Sequence, residues 1–143
     1  MTDIQQHAAW TVRISFHDVD MHGHVHNSVY FPYCETAITE YLRQQGLSEF
    51  FSPTAHDHAY HVHKVECSFH RPSSFEQQLY FHVRPVKLSR TTIAFHVSVY
   101  AAEEPTPRVQ ARIVWVCVQK GQARAQAIPT AVRQALMPLL QES

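Results

Sequence analysis

Polar and apolar residues alternate along much of the second half of the chain, and such a period of two is typical of strands that bury one face. The alternation is clearest at Ile93, Phe95, Val97 and Val99. Segments rich in proline, serine or glycine separate the alternating stretches, so the pattern predicts strands joined as successive hairpins. The predicted strands are residues 59–70, 77–88, 91–101 and 108–119.

The first third of the chain changes from a strand pattern to a helix pattern. Residues 11–17 alternate between polar and apolar, and Phe16 is the last residue of the apolar face. Residues 28–45 instead space their apolar side chains three and four apart, which predicts an amphipathic helix. Gly46 is a typical residue just past a helix end. The apolar stripe of this helix consists of Tyr30, Cys34, Ala37, Ile38 and Tyr41.

A shorter amphipathic pattern at residues 129–140 predicts a C-terminal helix. The order of elements predicts one α+β domain over residues 1–143, with a core at about 11–119. An antiparallel sheet of about five strands would cover the apolar stripe of the long helix. The alternate face of the sheet also carries apolar side chains, which predict subunit contacts: Tyr80, Tyr100, Val114, Val116 and Val118.

Composition narrows the possible partners. Lys plus Arg and Asp plus Glu number twelve each, so no basic excess indicates nucleic acid or an anionic membrane. The longest apolar run, residues 113–118, is too short to span a bilayer, and the first ten residues do not resemble a signal peptide. Three widely spaced cysteines fit reduced thiols, so we expect a cytoplasmic protein.

The polar turn at residues 18–27 holds two carboxylates, three alternating histidines, a glycine and an asparagine. It directly precedes the long helix, where unpaired amides and the helix dipole favour negative charge. We expect Asn27 to be the helix N-cap. Asp20 is a candidate general base or nucleophile, and a turn-capping aspartate is the alternative.

The alternating histidines His22, His24 and His26 are the types of side chain that bind zinc. In an extended chain, however, the middle side chain points away from the outer two, so at most two converge. We therefore predict no metal site in this turn.

Two segments carry a family resemblance. The first is Asp20, Gly23-His24-Val25, Asn27, Tyr30 and Glu35, and the second is residues 69–79, with the sequence Phe-His-Arg-Pro-Ser-Ser-Phe-Glu-Gln-Gln-Leu. Together they resemble the hot-dog acyl-CoA thioesterases of the 4-hydroxybenzoyl-CoA thioesterase family, which includes YbgC-type and FadM-type enzymes. The resemblance implies a long helix wrapped by an antiparallel sheet. It also implies a homodimer joined through sheet edges, often paired into a homotetramer, with active sites at the dimer interface.

The resemblance also implies site roles. Asp20 would attack the thioester or activate a water, and amides near Asn27 and Ser28 would polarise the carbonyl. His24 would support the turn or bond near the thioester, and the Tyr30 hydroxyl would lie near the site. The substrate would be an acyl-CoA, with no further cofactor because coenzyme A is part of the substrate.

The phosphates of coenzyme A need cations at the mouth of the site. Arg71, Lys87 and Arg90 are the candidates, and ordinary surface charge is the alternative for each.

Three positions depart from the family patterns and leave the acyl group open. Asn27 stands where YbgC-type members usually have His, His26 where FadM-type members have Asn, and Ile38 where YbgC-type members have Arg. Acyl-carrier protein is an alternative thiol carrier. A non-catalytic hot-dog protein that binds acyl-CoA or acyl-carrier protein is the alternative function. A hot-dog dehydratase is disfavoured because its Phe-Pro-Gly-His type of signature is absent.

Overall fold

The computed structural model of the protein describes residues 2–102 and 104–141. Its five strands form one sheet in the order β1-β3-β4-β5-β2, in which β1 pairs antiparallel with β3 and Trp10 lies opposite Phe81. The predicted α+β architecture of a long helix and a five-stranded antiparallel sheet is confirmed. The elements are α1 (Asp3–Gln6), β1 (Trp10–Arg13), α2 (Asn27–Gln44), β2 (His58–Phe69), β3 (Gln78–Leu88), β4 (Thr92–Ala101), β5 (Val109–Gln119) and α3 (Thr130–Leu136).

The long helix α2 agrees with its predicted range to within one residue at each end, and its apolar stripe is buried. Gly46 lies just past the C-terminus of the helix. It adopts a φ of +75°, a conformation that glycine accepts without strain. The Gly46 amide donates to the Arg43 carbonyl, and the Leu47 amide donates to the Leu42 carbonyl. This bonding pattern is the Schellman motif.

The first strand is shorter than predicted. It ends at Arg13, and residues 16–18 form a 3-10 turn in which the Asp18 amide donates to the Ser15 carbonyl. Phe16, predicted on the apolar face, is 80% exposed and contacts only the ring of Phe75 among the aromatic side chains described. The alternating pattern failed here because the chain leaves the sheet to form the polar turn.

By their contacts the residues form two compact units. The first comprises residues up to Tyr41, Cys67–Val83 and Val97–Ala111. Its core contains Tyr30 and Phe81, both almost fully buried. This unit holds the polar turn and most of α2.

The second unit comprises Leu42–Glu66, Arg84–His96 and the chain from Arg112 onward. Phe95 and Trp115 pack edge to face at 5.1 Å in its core, and Phe51 lies 5.9 Å from Trp115. The predicted C-terminal helix ends early, at Leu136, and continues as a 3-10 turn over Met137–Leu139. Pro138 explains the change, because it lacks the amide that an α-helical bond needs.

The sequence pattern did not predict the short helix α1. A capping box between Thr2 and Gln5 stabilises its N-terminus. Its Gln5 side chain donates to the Tyr80 hydroxyl, and its Ile4 carbonyl bonds to the ring of His82. Tyr80, predicted as a subunit contact, is therefore covered in part by its own chain.

The strand β2 lies at one edge of the sheet and is mostly exposed. Val62 is 44% exposed and Val65 is 38% exposed. A long edge strand with exposed apolar groups is a surface that proteins usually pair or cover. Among the helices described, none is both long and apolar enough to cross a membrane.

Candidate active site

A cleft of about 270 Å³ opens in the first unit beside the N-terminus of α2. Five of the predicted site residues line it, together with other residues of the two family-like segments. The lining residues are Asp20, His24, Val25, Asn27, Tyr30, Phe69, His70, Arg71 and Pro72.

The polar turn folds into a tight hairpin that presents Asp20. The Asp20 amide donates to the His24 carbonyl at 2.8 Å, and the Gly23 amide donates back to the Asp20 carbonyl at 3.0 Å. Gly23 has a φ of +76°, which is strained for any residue with a side chain. The glycine therefore makes the turn possible.

The Asp20 carboxylate is held by its own turn. Its Oδ1 atom accepts bonds from the amides of His22 at 2.8 Å and His24 at 3.3 Å. The His22 amide is the main cause that lowers the pKa of Asp20, and the His24 amide adds to it. Asp20 is exposed to solvent and ionised at neutral pH.

The second family-like segment, residues 69–79, holds this hairpin in place through backbone hydrogen bonds. The Val25 amide donates to the Ser73 carbonyl at 2.8 Å, and the Phe75 amide donates to the Gly23 carbonyl at 3.0 Å. The two family-like segments, far apart in sequence, are thus joined by backbone hydrogen bonds.

The helix start differs from the predicted one. Helix α2 begins at Asn27, so the prediction of Asn27 as N-cap is wrong by one residue. The cap is His26, whose Nδ1 atom accepts from the Ser28 amide at 3.2 Å and lies 2.7 Å from the Ser28 hydroxyl. An imidazole nitrogen takes the place that an asparagine oxygen was expected to fill.

Asn27 lines the cleft, whereas Ser28 does not. The Ser28 amide, predicted to polarise the carbonyl, is already bonded to His26. Asn27 is therefore the helix-start residue that faces the space available to a ligand.

Tyr30 forms part of the cleft wall and is only 2% exposed. Burial raises the pKa of Tyr30, and the neighbouring Ser73 hydroxyl opposes that rise in part. Within the described part of the chain, neither of these two buried hydroxyls has a hydrogen bond of ordinary geometry. The predicted position of Tyr30 at the site agrees with this placement.

Arg71 lines the cleft and belongs to an ion-pair network. Its Nη2 atom lies 2.8 Å from Glu104, and Arg108 approaches the same carboxylate at 2.6 Å. The bonds from Arg108 are the main cause that lowers the pKa of Glu104. Arg108 also donates to the Pro72 carbonyl, which ties the network to the cleft wall. Two cations share one carboxylate, so the cluster carries a net positive charge.

The other two predicted phosphate-binding cations do not line the cleft. Lys87 and Arg90 are exposed residues of the second unit. The Arg90 carbonyl accepts bonds from the Ile128 amide and the Arg133 side chain, so its backbone has a structural role.

Besides Val25, three lining residues had been given no site role from the sequence: Phe69, His70 and Pro72. All three lie in the second family-like segment, which was the available signal. Phe69 packs against Tyr30 at 5.7 Å, and His70 bonds to Gln110 at 3.1 Å. Their approach to the polar turn depends on pairing across the fold, which spacing along the chain does not show.

The histidines of the polar turn do not gather around one point. In residues 2–102 and 104–141, no three His, Cys, Asp or Glu side chains form a group that could hold a metal ion.

The fold, a long helix with a five-stranded antiparallel sheet, is the hot-dog fold. The sequence model described as the thioesterase superfamily matches residues 22–107, so this chain belongs to that superfamily and is a thioester hydrolase. The family that the two segments predicted from the sequence is thereby confirmed.

Individual relatives agree with this assignment. The acyl-CoA thioester hydrolase YbgC of Escherichia coli is 26% identical over 123 residues, which are 86% of this chain and 90% of that protein. A Thermus thermophilus thioesterase solved with coenzyme A and zinc is 26% identical, with a TM-score of 0.73 and coverage of 94% and 96% of the two chains. A 1,4-dihydroxy-2-naphthoyl-CoA thioesterase from Synechocystis shares the fold at 18% identity, with a TM-score of 0.81 and coverage of 91% and 95%.

Proposed function

We propose that the protein hydrolyses an acyl-CoA thioester to a free acid and coenzyme A, with Asp20 as the reacting carboxylate. The observation that carries this proposal is an ionised, solvent-accessible carboxylate in a cleft beside the first residue of a long helix. The relation to YbgC, an acyl-CoA thioester hydrolase, supports the substrate class.

Two reaction routes use the same geometry. In the first, an Asp20 oxygen attacks the thioester carbonyl carbon, the C–S bond breaks to release the thiolate, and water then hydrolyses the mixed anhydride. In the second, Asp20 takes a proton from water as the water attacks that carbon. Thiolate is a good leaving group, so neither route needs a strong acid.

The oxyanion formed in either route needs hydrogen-bond donors. We assign the Asn27 amide to this role, because Asn27 lines the cleft at the positive end of the α2 dipole. A well-placed donor contributes about 3 kcal/mol to such a step. The Ser28 amide can join only if His26 turns away from it. His24, which also lines the cleft, has the supporting role of holding Asp20 through its amide.

The phosphates of coenzyme A fit the cationic side of the cleft. Arg71 is our candidate for this contact, supported by its place in the lining and by the net charge of its cluster. Lys87 and Arg90 stay predictions that the cleft itself does not support. We propose no cofactor beyond the coenzyme A of the substrate, and acyl-carrier protein is the alternative thiol carrier.

The exposed strand β2 supports a homodimer in which two β2 edges pair. Phe69, the last residue of β2, lines the cleft, so a partner paired along this edge comes near the site. Pairing of dimers into a homotetramer is the larger assembly we propose. The three free cysteines favour a reducing compartment such as the cytoplasm.

The test is thiol release from a panel of acyl-CoAs of different chain length and aromatic content. We expect the wild type to hydrolyse at least one, and Asp20→Asn to lose about 10²-fold or more of kcat while still folding. Asp57→Asn, in an exposed turn of the second unit, is the matched control and should keep full activity. Saturable binding without thiol release would instead favour the non-catalytic acyl-CoA or acyl-carrier binding protein.

A further inference from the structure

A short hydrogen bond joins helix α2 to the polar turn outside the cleft. The Tyr33 hydroxyl donates to Oδ2 of Asp18 at 2.6 Å. Neither residue lines the cleft, and Asp18 lies two positions before Asp20. The Asp18 side chain is 18% exposed, so this bond is well shielded from water.

Tyr33 is fixed on the helix by the core of the first unit. Its ring lies 5.7 Å from Trp10 and 5.8 Å from Phe81, in edge-to-face contact with both. Burial raises the pKa of Tyr33 well above its ordinary value, and the Asp18 carboxylate raises it further. The phenol is therefore a protonated donor at neutral pH.

Asp18 in turn connects both ends of the hairpin. Its carbonyl accepts from the His26 amide at 3.1 Å, and its amide donates to the Ser15 carbonyl at 3.1 Å. One residue thus links the chain entering the turn, the residue that caps α2 and, through Tyr33, the body of the helix.

We propose that Tyr33 and Asp18 are positioning residues that hold the Asp20 hairpin in register with the N-terminus of α2. This inference rests on the proposed role of Asp20. Asp20 takes its two amide bonds from His22 and His24 inside the hairpin, so a loosened hairpin weakens them. Weaker amide bonds raise the pKa of Asp20 and move its carboxylate away from the helix amides.

Other titratable and charged groups lie around Asp20 and Asp18. His22 and His24 lie on the same hairpin, while His70 and Arg71 reach the cleft from the segment after β2. His17 lies 3.5 Å from Asp18. When only the Tyr33 hydroxyl is removed, His70 and Arg71 keep their own contacts to Gln110 and Glu104.

The test compares Tyr33→Phe with Tyr41→Phe in the full-length protein. Tyr41 is a buried tyrosine further along α2, and it does not line the cleft. We titrate the Asp20 carboxyl by carbon NMR and measure kcat and KM for the best acyl-CoA. In Tyr33→Phe we expect the Asp20 pKa to rise by about half a unit or more and kcat to fall about tenfold, with KM within about twofold. Tyr41→Phe should match the wild type in all three quantities.

A folded Tyr33→Phe with wild-type kcat and an unchanged Asp20 pKa would overturn the positioning role. If Tyr33→Phe does not fold, Asp18→Ala, which removes the acceptor of the Tyr33 hydroxyl, carries the test through hydrogen exchange of the His22 amide. We expect that exchange to be about fivefold faster than in the wild type, and an unchanged rate counts against the proposal. The titration and the exchange do not need turnover. A wild type that hydrolyses no acyl-CoA thus contradicts the proposed function alone.

Discussion

The amide of His22 and the Oδ1 atom of Asp20 lie 2.8 Å apart, and this bond does more than any other contact to keep Asp20 ionised. This hydrogen bond is local, because its donor and its acceptor belong to the same hairpin. The structure thus stabilises the charged form of Asp20 mainly through a backbone amide of its own turn, while the side chain stays exposed.

The first prediction concerns the pH dependence of hydrolysis. The pKa of Asp20 lies below its ordinary value of 3.8, and the reaction needs the deprotonated form. Lowering the pH from 7 to about 5 should therefore cost no activity through Asp20, and the loss should come only as the pH approaches its lowered pKa. The measurement is kcat/KM against pH, in a range where circular dichroism shows the protein folded.

The wild type, His24→Gln and the double variant His24→Gln/His70→Gln should be measured together, because both histidines line the cleft beside Asp20. An acid limb between pH 5 and 7 that persists when both histidines are replaced would contradict the state we assign to Asp20.

The second prediction concerns Arg71 and the coenzyme A phosphates. Arg71→Ala should raise KM for acyl-CoA about tenfold, because it removes a cation that can bond a phosphate with two N–H groups. It should leave KM unchanged for the same acyl group on pantetheine, which carries no nucleotide phosphates. Steady-state kinetics with the two substrates measure the difference.

Arg124→Ala, which removes an exposed arginine of the second unit, is the control for loss of charge alone. Equal effects of Arg71→Ala on both substrates would show that Arg71 supports the fold of the site through Glu104 rather than contacting phosphate.

The third prediction concerns two neighbouring tyrosines of α2. The Tyr30 hydroxyl is buried without a well-formed hydrogen bond, whereas the Tyr33 hydroxyl donates to a carboxylate. Tyr30→Phe should leave the free energy of unfolding unchanged or raise it, while Tyr33→Phe should lower it by about 1.5 kcal/mol. Urea unfolding of both variants at one pH measures these changes, and a larger loss in Tyr30→Phe would reverse the assignment.

The fourth prediction concerns the cap of α2. His26→Ala removes the acceptor of the Ser28 amide and should lower the free energy of unfolding by about 1 kcal/mol. His26→Asn supplies another cap acceptor and should restore most of it. If both variants match the wild type in thermal or urea unfolding, the imidazole does not stabilise the helix.

The regular elements were predictable because each has a period that the chain itself displays. The buried alternation of Ile93 and Phe95 in β4 and the stripe through Cys34 in α2 agree with the structure. The prediction failed at Phe16, where the chain leaves the sheet while its sequence still alternates. It failed again at Pro138, where the apolar spacing continued past a residue that cannot support an α-helix.

The sequence by itself determined the order of the five strands, the long helix and the C-terminal helix, the family and the prominence of Asp20, because these depend on local spacing and short motifs. Only the tertiary structure decided that Arg71 joins the cleft and that His26 caps α2. It also decided that Tyr33 meets Asp18. Such contacts depend on how distant segments pair and on which side-chain atom reaches an amide first. Neither the pairing of distant segments nor the approach of a side-chain atom to an amide produces a periodic pattern or a characteristic spacing in the sequence.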